Sequence, residues 1–85
     1  MNVIERVARV LAGQFYSRNA GGTEEHAAEL VDREWPNFAA DALAVMKTLR
    51  EPTPEMAAAG DSASWHRMVE AALEDARGQG GASLH

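Results

Sequence analysis

Eighty-five residues allow one domain with one small core and exclude an enzyme built from separate cofactor and substrate domains. Hydrophobic residues at 46 % and charged residues at 25 % are globular proportions, which argue against a wholly disordered chain and against a membrane span. Eight basic against thirteen acidic residues leave a net charge of -5, which opposes direct nucleic-acid binding, and the absence of cysteine removes disulfides, thiolate zinc sites and thiol nucleophiles.

Large apolar residues recur at helical spacing and no stretch alternates with period two. The chain therefore reads as all-α: a compact bundle of about four helices, broken at Pro36 and with a short helix after Pro54. Seventeen alanines favour helix and close approach while filling little volume, which predicts modest stability.

The first helix is expected from about Asn2 to Phe15, with Val3, Ile4, Val7, Val10, Leu11 and Phe15 inward and Glu5, Arg6 and Arg9 opposite. These charges interrupt the apolar run, so it does not read as a signal peptide. Residues 17–23, with Gly21 and Gly22, read as a loop, and Thr23 as the N-cap of a second helix over Glu24–Glu34. That helix turns Ala27, Ala28, Leu30, Val31 and Trp35 to one side and aligns Glu25, Glu29 and Asp32 on another, at i, i+4 and i+7. Pro36 lacks an amide hydrogen and biases Trp35 away from helical ψ, so the second helix is expected to stop there and a third to begin with Pro36 or Asn37 in its entry turn. It runs to Arg50 with Phe38, Ala42, Val45, Met46 and Leu49 inward.

Thr53 is placed to cap a short helix that has Pro54 in its first position, Glu55 at its positive end and Gly60 as its stop. The last helix is expected from Asp61 or Ser62 to a cap at Gly78, with Trp65, Met68, Val69, Ala72, Leu73 and Ala76 inward. Residues 1–78 thus read as a single domain and residues 79–85 as a flexible tail.

No motif supplies a reaction. His66 and Glu70 stand at i, i+4, but two ligands do not make a metal site, and they read as an exposed helix pair, as does His26 beside Glu25 and Glu29. Ser62 and Ser64 lack the acid and oxyanion donors a nucleophile needs and read as capping residues. The glycines match neither a P-loop nor a dinucleotide fingerprint. Trp35 and Trp65 lie on apolar stripes and read as core rather than as interface anchors. The expectation is no enzyme, no metal and no organic cofactor.

Charge placement is more informative. Residues 1–20 carry a net charge of +2, residues 21–46 of -5 and residues 47–85 of -2. Glu25, Glu29 and Asp32 in the acidic middle are the candidate protein-binding residues, suited to a basic partner surface, with a plain solvated face as the alternative.

IERVAR at residues 4–9, Trp35 with Phe38, LREPTPEM at 49–56 followed by AAAG, and WHRMVEAAL at 65–73 stand in that order. In this order the chain resembles a group of small uncharacterised proteins encoded in phages and prophages of alphaproteobacteria. The segment from Arg18 to His26 and the placement of Pro36 directly after Trp35 depart from that pattern. The resemblance implies genomic company rather than an activity, so no catalytic residue is carried over. In character the chain is similar to anti-CRISPR proteins, which commonly occupy a nucleic-acid-binding surface of a host complex. The leading expectation is an inhibitor of a host defence complex that handles nucleic acid, acting in the cytoplasm of the bacterial host as a monomer or homodimer. The alternative is a phage structural or accessory protein that binds another phage protein or itself through an alanine-lined face around Ala40 and Ala44.

Overall fold

The computed structural model describes residues 1–19 and 24–84, with side chains over 1–18 and 27–77. Helix α1 spans Val3–Asn19, α2 Glu24–Glu34, α3 Ala39–Leu49, α4 Pro54–Ala59 and α5 Ser62–Leu84. A 3₁₀ turn over Trp35–Phe38 joins α2 to α3, and no strand occurs among the described residues. The all-α bundle, the break at Pro36 and the short helix after Pro54 are those the sequence implied.

At the start of α1 the Asn2 side-chain oxygen accepts the Glu5 amide at 2.8 Å, which satisfies one of the free donors of the first turn. The helix continues past Phe15 through Ser17 and Arg18, where a loop was expected. Ring packing holds this extra turn: Tyr16 meets Phe15 at 5.0 Å and Phe38 at 6.0 Å between centroids, and Arg18 lies at the negative end of the dipole. Thr23, the expected cap of α2, lies outside the described residues.

Pro36 tightens the chain instead of releasing it. The Ala39 amide donates to the Pro36 carbonyl, and Asn37 Nδ2 donates to Glu34 Oε2 at 2.8 Å, so the turn passes directly into α3. Further on, Thr53 adopts the extended conformation of an N-cap and its hydroxyl accepts the Met56 amide at 3.1 Å. Asp61 then caps α5, accepting from the Ala63 amide at 3.0 Å and the Ser64 amide at 3.4 Å. Contrary to the expected stop at Gly78, α5 runs on to Leu84, since a glycine within a helix costs only about 1 kcal/mol relative to alanine.

Helix α1 is the centre of the bundle, packing against α2, the 3₁₀ turn, α3 and α5, while α4 stands apart. Ile4, Ala8, Ala42, Met46, Val69 and Leu73 form the core, edged by Val3, Val7, Leu11, Trp35, Phe38 and Trp65. Both tryptophans therefore pack on the core, half-buried. Ala8, Ala12 and Ala42 are completely covered, so the helices approach closely along their alanine rows. That closeness leaves a bundle only 17 Å across its thinnest dimension. Several residues expected inward are exposed as a result: Val10 at 61 %, Met68 at 68 %, and also Phe15, Val45, Leu49 and Ala28. The large ones among them flank the stripes whose centres are buried, and a thin layer has nothing to lay over the flanks.

Candidate protein-binding surfaces

The acidic row on α2 is only partly free. Asp32 is exposed at 76 % of its side chain, yet its Oδ1 accepts from Arg9 Nη1 of α1 at 2.7 Å. Arg9 also bonds Glu5 one helical turn back, at 2.9 Å, and its guanidinium lies 5.5 Å from the Trp35 ring centroid. Bonding to Asp32, and then to Glu5, holds the Arg9 pKa above its ordinary value. The cation therefore clamps α2 to α1 and neutralises one end of the row. Glu29 is exposed and has no basic partner among the described residues. The side chains of Glu25 and His26 lie outside the described residues.

The sequence pair His66 and Glu70 belongs to a cluster that ties α3 to α5. Glu70 Oε1 accepts from Arg50 Nη1 at 2.7 Å, with His66 Nε2 at 3.8 Å and Glu51 4.0 Å from His66 Nδ1. A guanidinium on the carboxylate opposes any cation there, so the cluster is suited to joining helices rather than to metal binding. No group of three or more metal-ligating side chains occurs among the described residues.

Ser64 takes part in capping, its hydroxyl donating to Asp61 Oδ2 at 2.8 Å and accepting from Arg67 Nη2 at 3.0 Å. Those contacts, the Ser64 hydroxyl bond first and then the Ser64 and Ala63 amides, draw the Asp61 pKa below its ordinary value. A nucleophile needs a base that accepts its proton and is itself oriented, and Asp61 is committed instead to the helix start.

Two apolar features stand apart from the acidic row: the alanine-lined face of α3 that the sequence offered around Ala40 and Ala44, and a groove that it did not show. On α3, Ala40, Ala44, Val45 and Leu49 are all exposed. Between α4 and the beginning of α5 lies a groove of about 260 Å³, lined by Pro52, Met56, Asp61, Ser64, Trp65 and Met68 among others. Trp65 is fixed at this groove because its Nε1 donates to the Leu49 carbonyl at the end of α3, at 2.7 Å. The signal for the groove was a methionine at 56 and another at 68 on helices separated by a capped turn, but their facing depends on the angle of α4.

Among the described residues no helix is long and apolar enough to cross a membrane. Comparison with protein-family models, curated proteins and solved structures gives no match.

Proposed function

We propose that this chain acts by binding another protein, without catalysis of its own, and that its partner is the basic nucleic-acid-binding surface of a host defence complex. The single observation that carries this reading is Glu29, exposed beside Asp32 on α2 and without a basic partner among the described residues. An anionic face of this kind competes with phosphates for a Lys- and Arg-rich groove, and the phage-protein resemblance and net charge of -5 are consistent with that role. Action in the bacterial cytoplasm is part of the same proposal. The chain is expressed in a bacterium carrying an active RNA-guided interference system, beside a Glu25→Lys/Glu29→Lys variant that leaves the Arg9 clamp intact. Wild type restores phage plating and the variant does not; equal plating by both overturns the acidic-face reading.

The exposed apolar residues of α3, Ala40, Ala44, Val45 and Leu49, favour a second reading. In it the chain is a phage structural or accessory protein that self-associates or binds another phage protein through this face. Sedimentation of wild type against Leu49→Lys tests the self-association arm, in which the molecular mass depends on that residue.

A further inference from the structure

The groove between α4 and α5 has features that its role in the fold does not require. At about 260 Å³ it falls just below the range of roughly 300–1,000 Å³ typical of small-molecule sites, and matches the insertion of one or two side chains. Its apolar lining includes Pro52 and two methionines, both exposed, with Trp65 anchored beside them by the bond to Leu49. Methionine is unbranched and polarisable, so a pair of them moulds to inserted apolar groups, while a fixed indole gives the floor a defined shape. Helix α4 packs closely on no other helix, so Met56 is held out over this groove rather than drawn into the core.

Charge around the groove selects the occupant. Asp61 lines it, Glu51 precedes the lining residue Pro52, and Glu55 precedes Met56; all three are exposed. Against them stand Arg67, which is engaged with Ser64, and His66, whose Nδ1 lies 4.0 Å from Glu51. An apolar slot lined by the Asp61 carboxylate, with exposed Glu51 and Glu55 next in sequence to its lining, disfavours an acidic partner and favours apolar side chains flanked by lysine or arginine.

We infer that the groove between α4 and α5 is a docking site for a basic amphipathic helix of a partner protein, whose apolar side chain inserts between Met56 and Met68 onto Trp65. This rests on the protein-binding reading above and adds a second contact to it, distinct from the acidic face of α2.

The test uses calorimetric titration of the full chain with three synthetic peptides of one length. The first is an amphipathic helix of leucine and lysine, the second has the same pattern with glutamate for lysine, and the third has serine for leucine. The leucine–lysine peptide is expected to bind at least tenfold more tightly than either control. Met68→Gln, a neutral change at an exposed position, lowers that affinity at least fivefold, and Glu55→Lys lowers it further. Equal binding of the leucine–lysine and leucine–glutamate peptides, equal binding of the serine–lysine peptide, no binding at all, or indifference to Met68→Gln each overturns the groove. Glu25→Lys/Glu29→Lys leaves groove binding within twofold of wild type, so failure of the groove and failure of the α2 face are read separately. If that pair abolishes peptide binding while Met68→Gln does not, the peptide sits on α2 and the groove assignment is wrong.

Discussion

Arg9 and Asp32, 23 positions apart in the chain, are joined at 2.7 Å, so one acid of the candidate row on α2 also fastens that helix to α1. Neighbours on one helical face therefore have different jobs. Asp32→Ala lowers the melting temperature by releasing Arg9, whereas Glu29→Ala leaves it unchanged. Thermal unfolding of the two variants at low and high salt checks this, with the Asp32 effect shrinking as salt rises.

Gly13 lies inside α1 on the side that faces α2, and a β-carbon added there meets Val31 Cγ2 at 3.9 Å, an ordinary contact. Gly13→Ala removes the helix penalty of glycine without a clash and stabilises the chain by about 0.5–1 kcal/mol. Urea unfolding measures the gain; a lower midpoint would show that the α1–α2 approach has no room for the methyl.

On α5, Leu73 is buried and Met68 is 68 % exposed, although the two stand on one sequence stripe. Leu73→Ala costs about 2–5 kcal/mol, as for a buried leucine, and Met68→Ala less than about 0.5 kcal/mol. Equal costs in denaturant titration would place Met68 in the core after all.

The bond from the Trp65 indole to the Leu49 carbonyl satisfies an acceptor that the end of α3 leaves open. Trp65→Phe keeps an aromatic ring but loses the donor, and is expected to cost about 1 kcal/mol. Tryptophan emission from Trp35 alone then reports unfolding of the same bundle at a lower midpoint.

Asp61 has a folded-state pKa below its ordinary value of 3.8, chiefly because Ser64 donates to it. A depressed carboxylate pKa stabilises the fold above the unfolded value, and that contribution is lost as pH falls through the folded value. The Ala63 and Ser64 amides should therefore lose exchange protection below about pH 4, before the middle of α5 does. In Asp61→Asn, which caps without titrating, the acid-dependent loss at these two amides disappears.

Sequence alone determined the helical class and the joints at Pro36, Thr53 and Asp61. Period and turn chemistry act within a few residues, so Pro36, Thr53 with Pro54, and Asp61 set breaks and starts wherever the rest of the chain lies. The end of α1 escaped that reading because Tyr16 is held by Phe38, a partner across the fold, and the end of α5 because glycines that weaken a helix do not forbid it. The row of Glu25, Glu29 and Asp32 was legible as a spacing, but the neutralisation of Asp32 by Arg9 was not. Only tertiary structure decided that, together with which flanks of each stripe stay uncovered and where Met56 faces Met68. The physical reason lies in the alanines: their small side chains permit close packing at many crossing angles, so the sequence fixes each helix while the angles between helices fix its contacts.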